Sequence, residues 1–159
     1  MFDLLRTVIF DDKVPGKPFR ERIMEFQEII QKMPGATGPD DYPLRHWFTP
    51  LDSRYGCHQY ARAIFVPKGT VVVGKIQRYP HLNFIMKGKV SVATEFGKVI
   101  YQAPCVFVSE PGAKRAVYHE EDTIWITCHL TRNSGEENLD KIEDELIAKN
   151  YTEFEENRR

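Results

Sequence analysis

The stretch 69-GTVVVGKIQRYPHLNFIMKG-88 opens and closes on glycine and carries two short runs, TVVVGKI and HLNFIMK, rich in β-branched and aromatic residues. Runs of this kind between turn residues read as strands. The same texture continues outward, with YARAIFV before it and KVSVAT, KVIY, CVFV, RAVY and TIWITCHL after it. Pro67-Lys68-Gly69, Lys87-Gly88, Glu95-Phe96-Gly97 and Pro111-Gly112 punctuate these segments. About eight short strands with tight turns and no helical periodicity between them predict a mainly β, antiparallel sandwich or small barrel. Closure of the barrel removes exposed strand edges.

The β block is flanked by helical patterns. Between Pro18 and Pro34, Ile23, Phe26, Ile30 and Met33 recur at three- and four-residue steps, which places them on one face of a helix. The following PGATGPDDYPLRHWFTP concentrates Pro, Gly and Asp and reads as an irregular connector. After Asn133, Ser134 and Glu137 have capping-box spacing, and Leu139, Ile142, Leu146 and Ile147 form an apolar stripe. The polar tail YTEFEENRR is expected to fray. The predicted organisation is an N-terminal extension with one amphipathic helix and a connector (1–58), a β-barrel (59–132), and a C-terminal helix and tail (133–159). Apolar stripes on helices outside the barrel predict a homo-oligomer or an assembly partner.

Composition narrows the function classes. A chain of 159 residues with 42% hydrophobic content builds one core. The 22 Lys+Arg nearly cancel 23 Asp+Glu, so the net charge of −1 creates no field toward nucleic acid or an acidic membrane. No segment has the length and apolarity of a membrane span, and MFDLLRTVIFDDK lacks the pattern of an export signal. Cys57, Cys105 and Cys128 are odd in number and lack CxxC spacing, which suits small side chains in a reducing compartment. The expectation is a soluble cytoplasmic protein that takes a small molecule or other protein subunits as partners, without nucleic acid or membrane. No nucleophilic triad, phosphate-cradling glycine loop or pair of catalytic carboxylates is present.

The block from Gly69 to Gly88 resembles the first motif of the cupin family: glycine, five residues, His-x-His, three or four residues, Glu, six residues, glycine. SEPGAKRAVYH resembles the second motif, with Gly112 as its glycine and the proline one place off. Residues 60–150 also resemble a subgroup of small cupin-like proteins frequent in bacteriophage genomes and largely of unassigned function. The resemblance implies a single jelly-roll barrel, commonly paired, and a metal held by three histidines and a glutamate. It also raises a phage virion or assembly role, with the host cytoplasm or the virion as location. At the four ligand positions this chain has Lys75, Gln77, His81 and Arg115. In the subgroup a histidine often stands where Gln77 does.

Lysine and arginine cannot replace imidazole or carboxylate as metal ligands. Three readings follow. In the first, Lys75, Gln77, His81 and Arg115 line the barrel mouth and hold a small anionic ligand, with Asn83 and Tyr118 adding hydrogen bonds. In the second, a divalent cation sits on a rearranged set drawn from His81, His129 and Gln77, and the protein is a dioxygenase- or isomerase-type enzyme. In the third, the barrel is a scaffold for assembly. The bland alternatives are that Lys75 and Arg115 face outward to pair with Glu110 or Glu121, that His129 is a hydrogen-bonded core residue beside Trp125 and Thr127, that Asn83 and Tyr118 are structural strand residues, and that His119 sits exposed in HEED.

Overall fold

The computed structural model describes residues 17–158. The reading of MFDLLRTVIFDDK therefore lies outside the described residues. Helix α1 (Phe19–Gln31) precedes strands β1 (Leu44–Phe48), β2 (His58–Val66), β3 (Val71–Val73), β4 (Ile76–Gln77), β5 (His81–Lys87), β6 (Lys89–Thr94), β7 (Gly97–Gln102), β8 (Cys105–Ser109), β9 (Ala116–His119) and β10 (Thr123–Thr131). Helix α2 (Leu139–Leu146), strand β11 (Ile147–Ala148) and helix α3 (Tyr151–Glu156) complete it. All eight segments expected to be strands are strands, with TVVVGKI divided between β3 and β4 by Gly74.

Two antiparallel sheets face each other, in the orders β1-β2-β10-β5-β8 and β3-β9-β6-β7. Strands of one sheet interleave in sequence with those of the other, the winding of a double-sheet jelly roll. β11 pairs separately with β4. Ile85, Val90, Val92, Val117 and Trp125 form the core between the sheets. The Tyr101 and Phe107 rings stack there at 4.0 Å, and Trp125 meets Phe107 edge-on at 5.6 Å.

The helices close over this barrel. Ile23, Phe26 and Ile30 of α1 are buried on the outer face of the four-stranded sheet, against Val71, Ala93 and Ala116. Each such side chain contributes about 2 kcal/mol on burial, and a 13-residue helix needs that docking because it is marginal alone. Ile142 and Leu146 of α2 pack on Tyr60 at one barrel end. The helical stripes are thus satisfied within the chain.

Four local expectations are corrected. The connector holds β1, whose Leu44-Arg45-His46-Trp47-Phe48 pairs with Ile64 back to Tyr60; its proline-rich flanks masked an aromatic strand. Ser134 caps no helix, because a 3-10 turn at Glu136–Asn138 intervenes and α2 begins at Leu139 without a side-chain cap. Ile147 leaves the helical stripe to pair with Gln77. The tail forms α3, capped by Asn150, whose side chain accepts from the Glu153 amide at 2.8 Å, with Phe154 buried against Ile76 and Ala148.

The motif glycine Gly88 has φ +87°, and a Cβ there would meet the Asp122 carbonyl oxygen at 2.4 Å. Gly69 has φ +82° but open space around it. Gly69→Ala is expected to cost roughly 1–2 kcal/mol from the left-handed backbone alone, and Gly88→Ala more than about 3 kcal/mol because backbone must also move. Urea unfolding of the two variants checks the order; equal losses would show that the close approach at Gly88 is not a constraint.

Candidate functional site

Strand alternation sends every second side chain into the barrel. Between the sheets and beneath α2 this leaves a cavity of about 460 Å3. β2 contributes Tyr60 and Arg62, β5 His81 and Asn83, β10 Thr127 and His129, and β9 Val117 and His119. Lys75, Gln77 and Arg115 enter from the segments around β4 and β9, and Ile142, Glu143 and Leu146 of α2 roof it.

The successive cations Lys114 and Arg115 go opposite ways. Lys114 is buried on the outside, where its ammonium donates to Gln27 Oε1 and the Gly74 carbonyl, both at 2.6 Å. Burial pushes its pKa down to about 8. Arg115 crosses the interior: Nη1 donates to Ser109 Oγ at 2.7 Å, and the guanidinium lies 5.4 Å from the Phe107 ring centroid. Its Nε is buried without a hydrogen-bond partner, and it forms no ion pair with a carboxylate among the described residues. Burial lowers its pKa, but a guanidinium stays charged. The guanidinium thus lines the cavity with its charge unmatched by a carboxylate among the described residues.

Below it a polar ladder holds the floor. Trp125 Nε1 donates to Asn83 Oδ1 at 3.0 Å, and Asn83 Nδ2 donates to Ser109 Oγ at 2.7 Å. Ser109 Oγ therefore accepts from both Asn83 and Arg115, which leaves its own proton to donate. Asn83 is spent on this ladder and acts as a positioning residue.

The mouth is different. Lys75 pairs with Asp40 at 2.6 Å and Glu143 at 2.7 Å, and Arg62 pairs with Asp40 at 3.0 Å. Lys75 does face the cavity, with partners other than Glu110 or Glu121, and its charge is compensated. Gln77 Oε1 is buried in the wall without a partner. Asp40, His46, Tyr60, Arg62 and Glu143 were not singled out from sequence; the connector, β1, β2 and α2 bring them to the site, and no motif shows that placement.

The histidines line the wall as neutral groups. His81 and His129 stack with centroids 4.4 Å apart and planes at 26°. Burial holds His81 down to about 4, aided by the charge of Arg115, and His129 down to about 3, aided by His81 and Arg62. His119 is 2% exposed, with Nδ1 unpartnered and its pKa lowered by burial to about 4. The expected exposure of His119 is thus overturned, and so is the ligand role of Tyr118. Val117 and His119 alternate inward, whereas Tyr118 lies on the outer face against the cluster under α1. Beyond His129, Tyr60 stacks on Phe48 at 4.8 Å and its hydroxyl meets His46 Nδ1 at 2.8 Å.

This set does not fit a divalent cation. Among the described residues no three His, Cys, Asp or Glu side chains gather for one. The two stacked imidazoles present faces to each other, whereas metal-binding lone pairs lie in the ring planes, and Arg115 adds a positive charge beside them.

No family model matches the chain, and no curated protein matches it. Among solved structures it is similar to a cupin-2 domain-containing protein of Shewanella frigidimarina NCIMB 400, at 14% identity over 46% of this chain and 71% of that one, with a TM-score of 0.39. A putative ethanolamine utilization protein Q of Salmonella typhimurium LT2 is similar at 12% identity, over 60% and 76% of the two chains, with a TM-score of 0.45. KdgF of Halomonas sp. is similar at 16% identity, over 59% and 83%, with a TM-score of 0.43. The fold assignment rests on the strand order.

Three histidines neutral in the fold and near 6.5 when unfolded set a pH dependence. Between pH 6.5 and about 4 the unfolded chain binds protons that the folded chain does not, so stability present above pH 6.5 is lost as pH falls. The expected slope approaches roughly 1.4 kcal/mol per pH unit for each histidine titrating only in the unfolded chain. Urea midpoints from pH 7 to 4 check it, and His129→Gln should flatten the slope. A midpoint independent of pH would show that these rings are solvated.

Proposed function

We propose that the barrel is a binding site for a small organic monoanion, with the ligand's carboxylate paired to the Arg115 guanidinium. The observation that carries this is a half-buried, permanently charged guanidinium inside a cavity of about 460 Å3, without a carboxylate partner among the described residues. An uncompensated interior charge is costly, and a matching anion offsets that cost while gaining charge-assisted hydrogen bonds. The cavity volume falls in the range of small-molecule sites.

Charge count favours one negative charge over two. Lys75 and Arg62 are already neutralised by Asp40 and Glu143. A dianion such as phosphate would therefore place its second charge in a cavity with no free cation to meet it. Gln77, Thr127 and His119 line the cavity as neutral polar residues suited to hydroxyl, amide or carbonyl groups of the ligand. His81 and His129 supply an apolar-faced wall. On this reading the chain is a cupin-type barrel in which the family's cation position has become an anion position. A scaffold role, in a phage particle or elsewhere, gives no reason for an open cavity with a charged floor.

The test is calorimetry and thermal denaturation of the full chain with short hydroxy-, oxo-, aromatic and sugar-acid monocarboxylates, with inorganic phosphate alongside. At least one monocarboxylate is expected to bind and raise the unfolding temperature. In Arg115→Met its affinity should fall roughly ten- to hundredfold. The unliganded variant should melt at the same temperature as the parent or higher, because a buried unpaired charge is gone. No response from any monocarboxylate, or a response that survives Arg115→Met, would overturn the proposal.

A further inference from the structure

Away from Arg115 the cavity has few polar groups to spare. Asn83 is spent on Trp125 and Ser109, the Tyr60 hydroxyl on His46 Nδ1 at 2.8 Å, and His81 Nδ1 meets the Tyr79 carbonyl at 3.3 Å. Lys75 and Arg62 are occupied by Asp40 and Glu143. Much of the wall is apolar instead. Val66 of β2, Val72 of β3 and Val117 of β9 line it, and α2 contributes Leu139, Ile142 and Leu146. A row of flat rings connects the charge with that roof. The Arg115 charge acts on His81, His81 stacks on His129 at 4.4 Å, and His129 meets Tyr60 at 6.2 Å with planes at 31°. Tyr60 in turn packs on Ile142 and Leu146.

We infer that the site takes a monocarboxylate with an apolar body, an alkyl or aryl acid whose chain or ring lies along the row of His81, His129 and Tyr60 beneath α2, and that it rejects sugar acids of the same charge. This rests on the pairing of the carboxylate with Arg115 and adds the chemistry of the ligand's body. A sugar acid brings several hydroxyls, and each one carried from water into the cavity needs a partner there. Gln77, Thr127 and His119 can serve a single such group but not a ring of them, and of their atoms Gln77 Oε1 and His119 Nδ1 are buried. An apolar body makes no such demand. It gains dispersion contact with the valines and with the roof, which lack neighbours across an unfilled space. A ring also finds flat partners, since aromatic rings favour offset or edge contact with one another. The volume of about 460 Å3 equals roughly 15 water volumes, room for a carboxylate with a body of about ten carbon atoms.

Calorimetry of the full chain with straight-chain acids from butanoate to octanoate separates the body from the charge. Affinity is expected to rise roughly threefold with each added methylene. Cyclohexanecarboxylate is expected to bind at least about tenfold tighter than glucuronate, which has a six-membered ring and the same charge but carries hydroxyls. Leu139→Gln, at a partly exposed position of the roof, should weaken octanoate at least about threefold and leave butanoate nearly unchanged. The series and the ring pair need no variant to fold. A series without a trend, glucuronate binding as tightly as cyclohexanecarboxylate, or octanoate indifferent to Leu139→Gln would overturn the inference. If the acids that bind still lose affinity in Arg115→Met, the monoanion site itself stands. A series that climbs equally in Arg115→Met would keep the apolar body and strike Arg115 as its anchor. No binding of any acid would overturn both.

Discussion

Each strand of this barrel has two faces to satisfy, and a two-residue period decides which side chain goes to which. On β9 that period sends Val117 and His119 into the interior and Ala116 and Tyr118 under α1. On β10 it sends Trp125, Thr127 and His129 inward and Ile126, Cys128 and Leu130 outward. A slip of one residue in any pairing would put Ile126 in the cavity and His129 in solvent. Core, site and outer surface are therefore set together by the register.

Within that frame the interior is graded. One end is closed by Ile85, Val90, Val92, Val117 and Trp125, packed as an ordinary core. Toward the other end the rows become polar, first through the Trp125–Asn83–Ser109 ladder and then through His81 and His129. Arg115 is anchored on the ladder and lines the cavity, and the compensated group of Lys75, Asp40, Arg62 and Glu143 frames the opening. Placing charge in this order leaves Arg115, of the cations lining the cavity, without a carboxylate partner among the described residues. An electrostatic interaction is strongest there and discriminates most sharply between ligands of different charge.

Much of the fold was legible because it depends on local chemistry. Strand residues between turn glycines identify β2 to β10, and the spacing of Ile23, Phe26 and Ile30 identifies α1. β1 was hidden because Pro43 and Pro50 bracket it, and its pairing with β2 is a long-range event that LRHWF alone does not announce. The fate of Ile147 and of the tail depended likewise on partners distant in sequence, Gln77 for one and Ile76 for the other. At the site, the departure of Lys75, Gln77 and Arg115 from metal-ligand chemistry was readable from residue type. That Lys75 is neutralised while Arg115 is not depends on which carboxylates the connector and α2 bring near, and no motif encodes this.

By itself, then, the amino-acid sequence determined the position of the barrel strands from β2 to β10, the docking helix and the loss of the usual cation ligands. These follow from side-chain volume, backbone preference and formal charge, which are properties of single residues and close neighbours. Only the tertiary structure decided that His119 is interior and Tyr118 exterior, that of three cations lining the cavity Arg115 lacks a counter-ion among the described residues, and that no described element covers the outer face of the five-stranded sheet. Each of those is a relation between groups distant in the chain, and register and packing exist only once the strands have paired.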